Sequence, residues 1–153
     1  MSELRDVMRR YPHGVSVLTV DVEGERVGLT VASLVSLSLE PPLIGVAISR
    51  QAAMHELLRR SDTFALSLLA AGQDWLAQHF ARGVPPIAMW EGIELLPGDG
   101  APRLAGATGW IEARRRDEIP AGDHTLFVGE VVSAETGLEQ PPLVHLGREY
   151  TSA

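Results

Sequence analysis

Short apolar runs of the β type, separated by glycine and proline, dominate the hydrophobic pattern of this chain. The run from Gly28 to Ser38 is the most informative, because small or hydroxyl-bearing residues recur at nearly every second position. If the run is one extended strand, alternation places Thr30, Ala32 and Ser36 on one face. We therefore expect a small, hydroxyl-bearing face that lets a flat ligand lie close to the backbone. The alternative is a barrel strand whose small residues fit a tight bend.

Proline and glycine divide the rest of the chain into further short elements. Glu40-Pro41-Pro42 ends the first strand, because proline has no N–H group to donate to a sheet. The apolar run 43–48 predicts a buried strand that ends at Ser49-Arg50. Further strands are predicted over 14–20, 65–69, 104–113, 125–131 and 142–150, helices over 2–10, 52–60 and 73–82, and an irregular segment over 83–100. Six or seven short strands with two or three short helices predict a mainly β fold, closed or nearly closed as a barrel.

Two local patterns predict where side chains lie. In the helix 73–82, Trp75 and Phe80 are large aromatic residues, and packing in the core is the expectation for Trp75. The only basic run, 114–116, is surrounded by acidic residues. We interpret it as the solvated end of a hairpin rather than as a phosphate site.

Composition and charge narrow the class of protein. A chain of 153 residues without cysteine is long enough to bury a core without disulfides, and we expect one domain over 1–153. The net charge of −7 argues against a nucleic-acid surface, which needs a basic face. No apolar run approaches the roughly 20 residues of a membrane span, and the N-terminus lacks the apolar core of a signal peptide. A cytoplasmic location, with neither nucleic acid nor membrane as a partner, is the expectation.

The chemical motifs of several enzyme classes are missing from the sequence. No serine stands in a Gly-x-Ser-x-Gly elbow, and there is neither a Walker loop nor a GxGxxG segment after a strand. The five histidines show no spacing typical of metal ligands, so no metal is expected.

Several segments, taken in order, resemble one known family. Thr30 to Ser38 is followed by an acidic-Pro-Pro stop, an apolar strand and Ser49-Arg50. Leu-Ala-Gln-His-Phe-Ala over 76–81, Gly-Asp-His over 122–124 and Gly-Arg-Glu-Tyr over 147–150 come later. Together they resemble the flavin reductase-like family across nearly the whole chain. The resemblance implies the FMN-binding split β-barrel fold.

The resemblance also implies an activity. Members of that family transfer a hydride from NADH or NADPH to FMN or FAD, and several supply reduced flavin to a separate flavin-dependent oxygenase. It further implies a homodimer. Two alternatives remain open at this stage: a flavin-binding protein of the same fold without reductase turnover, and an oxidase similar to pyridoxamine-phosphate oxidase. The second would be expected to carry more basic residues for its phosphates than this acidic chain has.

The family motifs map onto named positions of this sequence. By resemblance, the flavin would be held by Thr30, Val31, Ala32, Ser33 and Ser36, its phosphate end by Ala47, Ser49 and Arg50, and the same cleft would be lined by Phe80, Ala81 and Arg82. Arg82 has the alternative interpretation of a cation that favours a helix C-terminus. His124 and Tyr150 would serve the nicotinamide. Because Gly122 and Asp123 precede it, we expect His124 in a turn at the start of a strand, where a surface histidine without a ligand is the alternative.

Overall fold

The computed structural model describes residues 2–82 and 85–153. Its strands are β1 His13–Gly14, β2 Ser16–Val22, β3 Glu25–Val31, β4 Val35–Leu39, β5 Pro42–Ser49, β6 Thr63–Leu68, β7 Gly109–Ala121, β8 His124–Thr136, β9 Leu143–Leu146 and β10 Glu149–Ser152. Its helices are α1 Ser2–Met8, α2 Ala53–Arg60, α3 Asp74–Ala81 and α4 Pro86–Met89. The prediction of a mainly β fold with few short helices is confirmed. None of the helices in this part of the chain is long and apolar enough to span a membrane.

The strands form two sheets. The smaller has the order β1-β9-β10, and the larger has seven strands in the order β3-β2-β6-β7-β8-β5-β4. β3 and β4 are therefore the two edges of the larger sheet, yet only residues 32–34 join them. Four Cα–Cα steps reach about 14 Å at most. The sheet must curl until its edges almost meet without pairing, which is the arrangement expected of a split barrel.

The prediction of one continuous strand over 28–38 is wrong. β3 ends at Val31 and β4 begins at Val35, and these strands pair with different neighbours. Ser33 explains the break: its hydroxyl donates to the carbonyl of Ala47, 2.9 Å away, and accepts from the Ala47 N–H at 3.1 Å. The link 32–34 is thus attached to β5 across the gap. Thr30 and Ser36 consequently lie on opposite edges of the sheet instead of on one face.

Helix α3 covers β3 with a narrow apolar stripe. Leu76, Ala77 and Phe80 are buried, whereas Trp75 is 54% exposed. The prediction that Trp75 packs in the core is therefore wrong, because it lies outside the stripe. A Cβ on Gly28 would stand 2.9 Å from two ring carbons of Phe80, so the missing side chain lets the ring lie on β3.

The hairpin of β7 and β8 is longer than the sequence pattern indicates. Each strand has 13 residues, and the turn between them lies at Gly122, whose φ is +66°. The basic run 114–116 lies within β7, so its interpretation as a hairpin end is wrong. There Arg115 donates to the carbonyl of Ser61 at 3.0 Å, and Arg116 pairs with Glu130 at 3.7 Å.

The segment after α3, predicted to be irregular over 83–100, contains the short helix α4 and packs against β3. Met89 accepts a hydrogen bond from the N–H of Gly28, and the indole of Trp90 donates to the carbonyl of Arg26 at 2.8 Å. Positions 83 and 84 lie outside the described residues. The contacts of Met89 and Trp90 fix β3 from its outer side and so hold the edge of the gap.

The strand predicted over 104–113 begins only at Gly109.

Candidate functional site

A cavity of about 400 Å³ opens at the gap between the edges of the larger sheet. Its wall consists of Leu29, Thr30, Val31, Ala32, Ser33, Ala47, Ile48, Ser49, Ala52 and His124. Seven of these residues are predicted site residues: Thr30, Val31, Ala32, Ser33, Ala47, Ser49 and His124. The structure thus brings together the end of β3, the link, the end of β5 and the start of β8.

The hydroxyl groups on this wall are engaged with the protein backbone. Besides the bridge that Ser33 makes to Ala47, Thr30 donates to the carbonyl of Ala77 on α3 at 2.6 Å. Ser49 accepts from the N–H of Gln51 at 3.2 Å. These hydrogen bonds fix the shape of the wall.

Backbone donors are available along the link instead. Because residues 32–34 lie outside both strands, no hydrogen bond within the described residues uses the N–H groups of Ala32, Ser33 or Leu34. Groups of this kind are strong donors that require a partner. The link can therefore bind a ligand that presents acceptors along one edge.

The N-terminus of α2 faces the same cavity through Ala52. Ala52 occupies the N-cap position and makes no side-chain hydrogen bond to the first turn. Alanine is among the poorest N-cap residues, so the first N–H groups of α2 remain open to an anion. The missing cap is visible in the sequence, because alanine stands at 52 and 53, where a capping residue is usual; the sequence reasoning missed it.

His124 lies at the mouth of the cavity and pairs with Ser49 across β5 and β8. Its Nδ1 is 2.7 Å from Oδ1 of Asp123. This hydrogen bond, together with the charge of the imidazole, holds the pKa of Asp123 below its usual range. A carboxylate can only accept, so Nδ1 carries the proton and donates. The ring is 45% exposed, and Nε2 is left to contact a ligand.

The other predicted site residues lie elsewhere. Ser36 is on β4, at the far edge of the sheet, because the strand is broken. The ring of Phe80 is 2% exposed and belongs to the core, so it does not line the cleft. Ala81 ends α3 and Arg82 follows it, and both are exposed away from the cavity wall.

Arg50 lines a neighbouring cavity of about 700 Å³. There His55, which the sequence reasoning missed, lies with Nε2 2.7 Å from the hydroxyl of Thr125. Arg59 pairs with Glu118 at 3.0 Å on the same wall, whereas no ion pair is present at Arg50 among the described residues. Arg50 directly follows Ser49, which lines the first cavity, but Arg50 itself lines only the neighbouring one.

Tyr150 lies in the smaller sheet, where its ring centroid is 5.4 Å from that of His145. Burial, and next the charge of Asp74, raise the pKa of Tyr150. The residue lines a cavity of about 260 Å³ that includes Asp74 but not His124. The structure therefore does not bring the two predicted nicotinamide residues together within one chain.

Comparison with known proteins identifies the family. The model of the flavin reductase like domain matches residues 8–153. The chain is 40% identical over 136 residues to the NADH-dependent FAD reductase of Streptomyces globisporus, covering 86% of this chain and 74% of that protein. It is 38% identical over 146 residues to the reductase component of 4-hydroxyphenylacetate 3-monooxygenase of Thermus thermophilus, covering 95% and 92%. The structure of the Streptomyces globisporus C-1027 NADH:FAD oxidoreductase with NAD and FAD fragments superimposes with a TM-score of 0.92 at 35% identity, covering 98% and 90%. The chain belongs to the flavin reductase like domain family.

Proposed function

We infer that this protein is a flavin reductase that transfers a hydride from NADH or NADPH to FMN or FAD. One observation carries the inference: Ala32 and Ser33 of the link, the open N-terminus of α2 and His124 surround a single cavity. The Streptomyces globisporus relatives, whose names state NADH-dependent flavin reduction, support it. We interpret the curled, unclosed sheet as the family's split barrel.

The residues of the cavity fit a flavin. Its volume of about 400 Å³ lies within the roughly 300–1,000 Å³ of ligand sites, and much of its wall is apolar. A flat ring with acceptors on one edge matches the free N–H groups of residues 32–34. A phosphate suits the first turn of α2, and Arg50, in the neighbouring cavity, carries a guanidinium of the kind that binds phosphate. In this assignment Ser36 and Phe80 make no direct contact with the flavin.

A bound flavin supplies the hydride acceptor of the reaction. The remaining task of the chain is to hold the nicotinamide at the mouth of the cavity. His124 is suited to that task, because Asp123 orients its ring through Nδ1, and Nε2 has no hydrogen-bond partner among the described residues. A hydride passes between two rings without a protein proton, so positioning is the contribution expected of His124.

Reduced flavin released from this protein would serve a separate oxygenase, as the name of the Thermus thermophilus relative indicates for that protein. We also infer that the protein acts as a homodimer. The alternative, a flavin-binding protein without turnover, would bind the same flavin but would not oxidise a nicotinamide nucleotide. An assay of turnover therefore separates the two.

The test combines binding with turnover. Flavin fluorescence is titrated with purified protein, for FMN and FAD separately, and a dissociation constant in the micromolar range, about −8 kcal/mol, is expected. Oxidation of NADH and NADPH is then followed by absorbance with each flavin. Binding with no nicotinamide oxidation would favour the flavin-binding protein, and the absence of any binding would refute the proposed function.

A further inference from the structure

A separate cavity, of about 420 Å³, lies between α1, β1 and the turn that joins β9 to β10. Its wall includes Arg5, Arg9, Tyr11, His13, His145 and Arg148. It shares no lining residue with the cavity at the gap of the larger sheet. The proposed reaction uses none of its residues.

The charge of this cavity is opposite to that of the whole chain. The chain carries 20 acidic and 13 basic residues, yet three arginines line the cavity and no acidic residue does. Arg9 pairs with Asp6 at 3.3 Å, on the exposed side of α1. Arg5 and Arg148 make no ion pair with any described residue. Guanidinium groups gathered in this way favour phosphate or carboxylate, which they can bind with two parallel hydrogen bonds.

Three ring-bearing side chains, Tyr11, His13 and His145, also line this cavity. His13 and His145 are direct partners across β1 and β9, and the ring of Tyr11 meets that of His13 edge-on at 5.0 Å. Tyr11 is 59% exposed, so a face of its ring is accessible. Aromatic faces of this kind stack on planar ligands. The cavity therefore combines a surface for a flat ring with arginines for an anion.

Arg148 is held in an unusual conformation at this wall. Its φ is +73°, and it follows Gly147, whose φ is +60°. Two-residue hairpin turns with two positive φ values favour glycine or asparagine, so an arginine at the second position is unfavourable for the turn itself. A Cβ on Gly147 would lie 3.8 Å from the carbonyl oxygen of Arg9, which shows that the turn packs on the end of α1. The turn thus places Arg148 on the cavity wall.

We propose that this cavity binds a small planar ring that carries an anionic group. An adenylate and an aromatic carboxylate share that chemistry, and both fit a cavity of about 420 Å³. The arginines bind the anion, and Tyr11 with the two histidines contacts the ring.

Calorimetry on the full chain tests the proposal with four probes: AMP, 4-hydroxybenzoate, adenosine and inorganic phosphate. Each titration is done with and without saturating FMN. We expect AMP or 4-hydroxybenzoate to bind once per chain, whether or not FMN is present. Adenosine has the ring without the anion, and inorganic phosphate has the anion without the ring. Each should bind at least about tenfold more weakly than the probe that carries both. Whichever of the first two binds identifies the source of the ligand.

The decisive variant is Arg148→Gly. Glycine accepts a φ of +73° without strain, so the turn is kept while the guanidinium is lost. We expect at least about tenfold weaker binding with a melting temperature no lower than that of the wild type, and the same loss of binding for Arg5→Ala. Arg60→Ala, on the exposed end of α2, is the matched control and should bind as the wild type does. Absence of binding by both probes, unaltered binding by Arg148→Gly, or loss of binding when FMN is added would overturn the proposal.

Discussion

Single hydroxyl groups shape the flavin cavity by binding the backbone around it. Thr30 ties the end of β3 to α3, and Ser33 ties the link to β5. A buried or half-buried N–H or carbonyl that loses its partner destabilises the protein, whereas a ligand contact affects affinity alone. The two roles can therefore be separated by measuring stability and flavin binding on the same variants.

Ser33→Ala should weaken both properties. The change leaves the N–H and carbonyl of Ala47 without their partner, which should lower the free energy of unfolding by about 1–3 kcal/mol. Flavin affinity should fall about tenfold, because the link is no longer fixed across the gap. Ser36→Ala is the control, since Ser36 is on the far edge and should change stability by less than about 0.5 kcal/mol. A flavin affinity that falls for Ser36→Ala and not for Ser33→Ala would contradict the assignment.

His124→Ala should affect catalysis alone. The side chain is exposed at the mouth of the cavity, and its only hydrogen-bond partner among the described residues is Asp123. Reduction of bound flavin by NADH in a stopped-flow instrument should slow at least about tenfold, near 1.4 kcal/mol of barrier. Flavin affinity should stay within about twofold. An unchanged rate would show that His124 has no nicotinamide role, and a collapse of flavin binding would assign it to the flavin site or to the fold.

Tyr150 should make stability sensitive to high pH. Because burial and Asp74 raise its pKa, the unfolded chain loses the phenolic proton near pH 10 while the folded chain still holds it. The free energy of unfolding therefore falls as the pH rises from about 10 towards the folded pKa. Tyr150→Phe should lose less stability between pH 9 and 11 in denaturant titrations, and Asp74→Asn should lie between it and the wild type. Equal losses of stability in the wild type and both variants would show that Tyr150 does not cause the sensitivity to high pH.

At the level of elements, the packing of α3 on β3 depends on one missing side chain. Gly28→Ala would force a Cβ against the fully buried ring of Phe80, 2.9 Å away, and should destabilise the protein by about 1–3 kcal/mol in thermal or denaturant unfolding. Gly14→Ala is the matched control, because a Cβ there meets nothing within 4 Å and should be close to neutral. A stable Gly28→Ala variant would mean that α3 can move away from β3.

The sequence was informative about elements and less so about how they pair. Periodicity located the helices 52–60 and 73–82 within a residue or so of their observed ends. The break at 32–34 was invisible, because Ala-Ser-Leu has the same residue types as the strands beside it. The strand is broken there because Ser33 bonds to Ala47, 14 positions further along the chain. Seven of the predicted site residues accordingly line one cavity, while Ser36, Arg50, Phe80, Ala81, Arg82 and Tyr150, assigned by the same motifs, do not.

At the scale of the whole molecule, the open sheet leaves an apolar edge uncovered. β4 has one free side, and Val35, Leu37 and Leu39 on it are 42%, 45% and 86% exposed. The side chains of Val35, Leu37 and Leu126 surround Gly45. A Cβ added to Gly45 would lie 3.0–3.3 Å from a methyl carbon of each of them. An apolar edge strand of this kind invites association with another chain. A second copy that covers it would also bury one side of the gap.

This edge is the surface on which we expect the homodimer to form. Sedimentation at micromolar concentration should give twice the chain mass of 16.5 kDa for the wild type. Leu37→Glu places a charge in the patch and should shift the protein to the monomer while its circular dichroism spectrum is kept, because the residue is half exposed within one chain. Leu138→Glu is the matched control: Leu138 is 83% exposed outside any strand and should leave the dimer intact. A wild-type monomer would refute the dimer, and a Leu37→Glu dimer would move the interface away from β4.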